Sequence, residues 1–269
     1  MKSKSRYAVA AALAACVHAI PSYAARPFVT DDARIVDAGG CQIETFVKRQ
    51  RHFSENEFWF VPGCSPAGPV ELTLGGTRTD SAAEGTSSSV LAQAKTLVRE
   101  LRPDDYGLAI TLGAARLNPV DSSRRERWSP YLNLIASLSL MNDRTVIHAN
   151  IGALRDPATG RTRQSWGLGA EFAVTPRVYV IAEAYGQEGD RPSGQFGLRV
   201  WVVPNRLQID GALGAQAGQS PARAWTSFGA RILFQSALRS STPASSVFTT
   251  ATLRRERRSS LRAGCARAA

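Results

Sequence analysis

The sequence predicts an all-β fold, a single antiparallel up-and-down transmembrane β-barrel of about twelve strands. Three observations predict this fold. Segments of roughly ten residues alternate apolar and polar side chains, as strands do when one face meets lipid and the other a polar lumen. The connections are short after every second strand and mostly longer after the others. A secretory signal precedes the whole pattern.

The alternation defines the strands one by one. In the eleventh, Leu207 and Ile209 share one face, while Gln208 and Asp210 share the other. A soluble β-sandwich would alternate in the same way, but the strand length and the sided connections favour a barrel. The predicted strands are residues 41–50, 57–62, 70–79, 89–99, 106–116, 130–140, 145–154, 164–174, 177–187, 194–203, 206–216 and 223–235.

The connections set the orientation of the barrel. Thr175-Pro176 and Pro204-Asn205 are short and contain turn residues, whereas residues 117–129 form a long polar connection. Short turns face the periplasm in outer-membrane barrels. An even number of strands therefore places the first and the last strand end at the periplasmic side.

The first 24 residues are predicted to be a signal peptide. A basic start precedes an uncharged apolar run from Tyr7 to Ile20, and Ser22-Tyr23-Ala24 offers small residues for cleavage. Cys16 lies within a sequence that resembles a lipoprotein box, so lipidation there is an alternative. The remaining divisions are a periplasmic N-terminal segment at 25–40, an outer-membrane barrel at 41–235 and a disordered basic tail at 236–269.

The net charge of +11 does not indicate a nucleic-acid-binding face. Lys2, Lys4 and Arg6 belong to the signal peptide, and residues 236–269 hold seven Arg against the single Glu256. The segment between them is close to neutral. Basic ends of this kind suit targeting and tail chemistry, so no nucleic-acid partner is expected.

Export exposes the chain to an oxidising compartment, in which disulfides persist. Three cysteines follow the signal peptide: Cys41, Cys64 and Cys265. Cys41 and Cys64 share the periplasmic end of the strand scheme, so we predict a disulfide between them. Metal binding is the alternative, but no His or Cys partner stands at ligand spacing. No metal or other cofactor is expected.

Charged residues on the polar faces of the strands are the main clue to mechanism. Because charges on the outer face would meet lipid, we expect them to point inward. The five on the last strands are expected to form one connected charge ladder. Such charges either fill and stabilise a narrow barrel or line a constricted pore. Barrels of about eight strands are filled and those of about sixteen leave an aqueous channel, so twelve strands are compatible with both. The predicted lumen charges are Glu44, Lys48, Glu71, Lys95, Arg99, Glu171, Glu183, Arg199, Asp210 and Arg231.

The sequence contains one candidate catalytic site. His148 shares a face with Asn150, and Ser137 and Ser139 lie on the preceding strand. A lipase-type arrangement would need one of these serines as a nucleophile reachable from lipid. Both are predicted to face the lumen instead, so His148 is interpreted as a polar lumen residue and no enzyme activity is expected.

The last predicted strand ends in Ser227-Phe228-Gly229-Ala230-Arg231-Ile232-Leu233-Phe234. This looks like the closing-strand signal of outer-membrane barrels, with Ser227, Gly229, Ile232 and Phe234 at its characteristic positions. The resemblance implies that the strand docks onto the barrel assembly machinery. Such signals usually sit at the chain end, whereas here the sequence continues from Gln235 to Ala269.

The start of the exported chain also carries a pattern. Arg26-Pro27-Phe28-Val29-Thr30-Asp31-Asp32-Ala33 is followed by Gly40 and by Gln42-Ile43-Glu44 on the first strand. This resembles the opening of a family of outer-membrane transporters linked to aromatic-compound catabolism, the phenol meta-pathway type. The resemblance implies a barrel and its compartment but no substrate. Asp31 and Asp32 are interpreted as a turn or plug contact, with a calcium site as the alternative.

Together these patterns predict a narrow pore or transporter-like channel for small solutes in the Gram-negative outer membrane. The expected partners are outer-membrane lipid, the assembly machinery and a small-molecule solute. A filled structural or adhesion barrel without conduction is the first alternative, and a lipid-modifying barrel enzyme is the second.

Overall fold

Twelve antiparallel strands close into one barrel in a computed structural model that describes residues 29–50, 55–82, 85–118, 127–155, 160–218 and 224–234. Each strand pairs with its neighbours in sequence, and the last pairs with the first. Closure leaves no sheet edge, so the backbone hydrogen bonds are satisfied within the sheet. The signal peptide, Cys16 and the basic tail lie outside the described residues.

The strand bounds follow the predicted order throughout. They are β1 (Cys41–Gln50), β2 (Glu55–Cys64), β3 (Val70–Ser81), β4 (Gly85–Arg99), β5 (Tyr106–Asn118), β6 (Arg127–Leu140), β7 (Thr145–Arg155), β8 (Thr162–Thr175), β9 (Val178–Gln187), β10 (Ser193–Val203), β11 (Leu207–Gln216) and β12 (Trp225–Phe234). The predicted fold class, an all-β antiparallel barrel of twelve strands, is confirmed. No helix among the described residues is long and apolar enough to span a membrane.

Two strand pairs differ from the prediction. β2 continues through Pro62, where the ladder with β1 is intact and the ladder with β3 is interrupted. Proline has no N–H to donate, so only one of its two neighbouring ladders is lost. β3 and β4 also extend into residues 80–88, which were predicted to be a loop. There Thr86 donates to Asp80 at 2.7 Å, and a polar strand end is stable because it stands in water.

The outer face is apolar along most of the barrel height. Phe228, Ile151 and Leu213 are 74%, 69% and 64% exposed, although they are large hydrophobic side chains. A surface on which such residues alternate with buried polar ones is stable only in contact with lipid. The opposite face of each strand points into the barrel and carries the polar residues.

One predicted lumen residue, Arg99, departs from the alternation. A bulge between Leu97 and Arg99 shifts the pairing, so Arg99 pairs with Leu108 and follows the outer face. Its guanidinium lies 3.6 Å from the ring centroid of Tyr106 and 2.7 Å from a carboxylate oxygen of Asp105. The assignment of Arg99 to the lumen was therefore wrong, because one extra residue reverses the parity of a strand end.

The barrel has two distinguishable ends. The short-turn end holds the turns at Arg177 and Asn205, together with the start of β1 and the end of β12. Cys41 and Cys64 face each other across β1 and β2 at this end and form a disulfide, with their Cα atoms 4.0 Å apart. The predicted disulfide is confirmed. By the parity of both strands it lies on the outer side of the rim.

We predict that the disulfide stabilises the first hairpin of the barrel. Replacing Cys41 and Cys64 together with Ser should lower the free energy of unfolding by about 2–4 kcal/mol, because the unfolded chain loses a cross-link. Urea titration of the folded form, read as heat-modifiable mobility on a gel, measures this difference. Reductant should reproduce the loss in the wild type and have no effect on the double variant; equal stability of the two proteins would contradict the prediction.

Candidate functional site

Residues 29–36, which we call the plug, cross the interior of the barrel. At one end the N–H groups of Val29 and Thr30 donate to the carboxylate of Glu183 on β9, at 2.7 and 2.8 Å. At the other end the N–H of Val36 donates to Glu71 on β3, at 2.9 Å. Residues 25–40 were predicted to be a periplasmic segment, whereas residues 29–36 lie inside the barrel. Inward-facing carboxylates provide the acceptors that this extended backbone requires.

Lys95 on β4 is the main cationic contact of the plug. Its ammonium lies 2.6 Å from Asp31 and 3.0 Å from Asp32, and the hydroxyl of Thr111 donates to Asp31 at 3.2 Å. Lys95 and Asp32 are both about 95% buried. A buried ammonium is stable only with anionic partners. Asp31 and Asp32 of the plug are these anionic partners.

A second ion-pair cluster lies on the β8 side of the plug. The guanidinium of Arg34 contacts Glu171 at 3.3 Å and Asp143 at 3.2 Å. Glu171 also forms an ion pair with Arg199 on β10. Arg199 and Glu171 are almost completely buried. The plug therefore completes the charge balance of the wall, and the wall completes that of the plug.

The Ser137–His148 pair lies under the plug. The Ser137 hydroxyl is 2.8 Å from Nδ1 of His148 and accepts the N–H of Ala33 at 2.9 Å. Nε2 of His148 lies 3.8 Å from Glu171. Ser137 and His148 face the interior and are 1% and 0% exposed. The pair is thus remote from lipid, and its visible contacts hold the plug in place.

Small residues give the plug its space. Ala33 is fully buried against Ala109 and Ile135. On β8, a Cβ added to Gly167 would lie 2.7 Å from the Thr30 hydroxyl, closer than real contacts allow. Gly167 therefore lets the plug approach the backbone of the wall.

A cavity of about 800 Å³ remains beside and above the plug. Among the described residues, the hydrogen bonds and ion pairs of the plug reach from β3 to β9 and the turn at Asp143. The inward faces of all twelve strands, together with the plug, line this cavity. Its lining extends from Gln42, near the short-turn end, to Gln216, near the opposite end.

A hydrogen-bonded layer forms the floor of the cavity. Arg231 donates to Gln42 at 2.7 Å, and Gln42 donates to Glu71 at 3.1 Å. The guanidinium of Arg231 is also 3.6 Å from Glu44. Since Glu71 holds Val36, the floor is continuous with the plug. We call Gln42, Glu44, Glu71 and Arg231 the floor layer.

The upper wall is aromatic as well as charged. Lys48 forms a 3.1 Å ion pair with Glu57, which also accepts the indole N–H of Trp59 at 3.2 Å. Phe46 stacks on Trp59 with a centroid distance of 5.3 Å, and Lys48 lies 5.1 Å from the ring centroid of Trp225. These aromatic and charged side chains contact one another and form the surface on the open side of the cavity.

Of the five charges predicted to form a ladder, two are in contact with each other, and a connection among all five stays a prediction. Arg199 contacts Glu171, whereas Glu183 accepts hydrogen bonds from the plug and from Gln195. The inward positions of the other predicted charges are Glu44, Lys48, Glu71, Lys95, Asp210 and Arg231, and the closing strand presents Ser227 and Gly229 inward and Ile232 and Phe234 outward.

Arg34 and Asp143 were missed because neither lies on a predicted strand. Arg34 precedes β1, and Asp143 occupies the β6–β7 turn with a positive φ of 63°. The available signal was the charged character of Asp31, Asp32 and Arg34 immediately before a barrel. For the calcium alternative, the carboxylates of Asp31 and Asp32 already contact Lys95, and no cluster of three metal-binding side chains occurs in the described part of the chain.

Solved porin structures resemble this barrel at low sequence identity. The KdgM porin in complex with disordered oligogalacturonate is 11% identical, with a TM-score of 0.53, and the match covers 71% of this chain and 98% of that one. A second KdgM porin structure is 10% identical, with a TM-score of 0.51, and the match covers the same shares of the two chains. The NanC porin is 10% identical, with a TM-score of 0.49, and the match covers 73% of this chain and all of that one. The comparison with curated proteins found no match.

The barrel fold and its lipid-facing surface identify a Gram-negative outer-membrane protein. A family model matches residues 12–234, which include the plug and all twelve strands. That match spans most of the chain. The chain therefore belongs to the family described as Uncharacterised conserved protein UCP029691.

Proposed function

We propose that the protein is a narrow outer-membrane pore for small solutes, constricted at its short-turn end by the plug and the floor layer. The observation that carries this proposal is the cavity of about 800 Å³ beside the plug, which charged, polar and aromatic side chains line. A barrel that served only as a structural support would have no need of such a space. The cavity is large enough for a small solute and too small for a folded chain.

The contacts of the plug are consistent with a movable constriction. Most are hydrogen bonds and ion pairs, and few are apolar, with Ala33 and Val36 as the buried hydrophobic residues. Water and solute ions can replace polar contacts one at a time, whereas a packed apolar core must open as a unit. A polar plug therefore allows conduction to be adjusted without unfolding the barrel.

The alternatives receive less support from the geometry. A filled barrel would leave no cavity of this size beside the plug. A lipid-modifying enzyme would need a reachable nucleophile, but Ser137 and His148 are buried beneath Ala33. The KdgM porin binds an oligogalacturonate, which is a polyanion. Seven carboxylates and five basic side chains line the cavity here, which disfavours a polyanionic solute.

Three finer assignments belong to the same proposal. The Thr30-Asp31-Asp32 pattern, whose acids hold Lys95, supports membership of the phenol meta-pathway type of transporter. The outward Ile232 and Phe234 of β12 support a closing-strand signal for the assembly machinery. Residues 1–24 would be removed on export, and residues 236–269 would form a basic tail.

We predict that Lys95 controls access to the plug. In a Cys265→Ser background, Val36→Cys should react slowly with a membrane-impermeant thiol reagent, because Val36 is 6% exposed. Adding Lys95→Met leaves Asp31 and Asp32 without their cation, so the plug should loosen and labelling should accelerate at least about tenfold. Arg102→Met, an exposed charge in the β4–β5 connection, is the matched control and should not change the rate. Equal labelling in all three proteins would refute the role of Lys95.

We also predict conduction in planar lipid bilayers. The wild type should give small single-channel currents, and Lys95→Met should raise the conductance or the open time several-fold because the constriction is weakened. Arg102→Met should behave like the wild type. Folding of each protein is checked by heat-modifiable mobility. If folded wild type and folded Lys95→Met both fail to conduct, the barrel is a filled structure and not a pore.

A further inference from the structure

The short-turn end of the barrel repeats one backbone arrangement at three successive turns. Arg144, Arg177 and Arg206 each directly precede an odd-numbered strand. The backbone carbonyl of each accepts an N–H from near the end of the even-numbered strand that follows, at 2.8 to 2.9 Å. The three residues therefore occupy equivalent positions on the rim of the barrel, and we call them the rim arginines.

The two earlier turns at this end place other residues at the equivalent position. The carbonyl of Pro69 accepts the N–H of Leu97 at 3.0 Å, and that of Asp105 accepts the N–H of Ser139 at 2.9 Å. The carboxylate of Asp105 forms an ion pair with Arg99 at 2.7 Å. Positive charge on this part of the rim is thus balanced within the protein, and the rim is electrostatically one-sided.

The turns that carry the rim arginines contain little negative charge. Asp143 is the single acidic residue in these three turns, against three arginines. Its carboxylate contacts Arg34 of the plug at 3.2 Å. All three rim arginines are exposed. This arc of the rim, from the β6–β7 turn to the β10–β11 turn, therefore presents an excess of positive charge.

The rim arginines stand at the edge of the lipid-facing surface. An exposed hydrophobic residue lies three positions before each of them, namely Met141, Val174 and Val203, at 61%, 51% and 43% exposure. The guanidinium of Arg144 lies 5.1 Å from the ring centroid of Phe172, an outward residue of β8. A basic side chain at this height keeps its charged group among lipid headgroups, while apolar side chains beside it meet hydrocarbon.

The chemistry of the rim arginines fits a phosphate diester. A guanidinium binds phosphate oxygens through paired hydrogen bonds as well as through its charge. The surface of an anionic phospholipid leaflet attracts each basic residue close to it. Successive turns are two strands apart, about 10 Å, which is comparable with the distance between adjacent lipid headgroups.

We propose that Arg144, Arg177 and Arg206 form a binding surface for anionic phospholipid along one side of the barrel. Each guanidinium contacts the phosphate of a lipid in the leaflet that the short turns face, which is expected to be the periplasmic one. The turn at Asp105 offers no equivalent contact. Anionic lipid should therefore be enriched beside β6 to β11 and not around the whole rim. This surface does not depend on conduction through the barrel.

The test measures lipid preference next to the rim. In the full chain with Cys265→Ser, the outward Val202→Cys on β10 is labelled with a fluorophore, and the folded barrel is placed in phosphatidylcholine vesicles. Quenching by spin-labelled phosphatidylglycerol is compared with quenching by spin-labelled phosphatidylcholine. The anionic lipid should associate about threefold to fivefold more strongly. In about 1 M salt, which screens charges beyond about 3 Å, this ratio should fall toward one.

Two variants and a second reporter isolate the rim arginines. Replacing all three with Gln should bring the ratio at position 202 to about one, whereas replacing all three with Lys keeps the charge and should retain most of the preference. Leu213→Cys, an outward position toward the opposite end, is the matched reporter. The ratio measured there should be the same with arginine and with Gln at the rim. Heat-modifiable mobility verifies that each protein is folded.

The proposal fails if the wild type shows no preference for the anionic lipid at position 202. It also fails if the Gln variant retains the preference, or if the Lys variant loses it as completely as the Gln variant. The salt series requires no change at the rim, so it decides the matter even if the Gln variant does not fold. A preference that persists unchanged in high salt would overturn an electrostatic surface.

Discussion

Charge pairing inside a membrane barrel is the constraint on which the rest of this structure depends. Each inward lysine, arginine, aspartate or glutamate is removed from bulk water, and the lipid outside offers no partner. On the wall, Lys95 has Glu71 as its strand neighbour, and Glu183 accepts a hydrogen bond from Gln195. The plug adds Asp31 and Asp32 to the first and two backbone N–H groups to the second. The barrel and its N-terminal segment are therefore one electrostatic unit.

The same constraint separates the interior into two functional regions. Toward β3–β9 the charges are consumed by the plug, and residues such as His148 and Ser137 are fully buried. Beside the plug, side chains from all twelve strands line free space. A barrel of twelve strands is wide enough to hold a single extended segment but not wide enough to leave a large channel beside it. The plug thus determines where the remaining space lies.

The fold could be predicted from the sequence because each strand has to satisfy the same two-sided environment. Alternation, strand length and connection pattern all report that environment, and the disulfide between Cys41 and Cys64 follows from register. The alternation predicted the wrong face for Arg99, because one bulge residue after Leu97 reverses the face on which the end of β4 places its side chains. The sequence of a single strand does not reveal a bulge, since a bulge arises from how two strands pair.

The site was less predictable than the fold. The inward charges could be identified one strand at a time, but their partners could not, because a partner can come from any strand or from a segment outside the sheet. Arg34 and Asp143 illustrate this: they are separated by 109 positions along the chain and meet through the interior. The ladder predicted for Glu171, Glu183, Arg199, Asp210 and Arg231 took no account of the plug, whose backbone contacts Glu183 and whose Arg34 contacts Glu171.

The distribution of plug contacts also implies an order of assembly. Glu71, Lys95, Ser137, Glu171 and Glu183 come from β3, β4, β6, β8 and β9, so the docking surface for residues 29–36 is scattered over most of the chain. No single hairpin carries enough of it to bind the plug. The residues that precede β1 in the chain must therefore wait for β9 before they can be seated. In this barrel the segment that is synthesised before any strand is among the last to reach its native position.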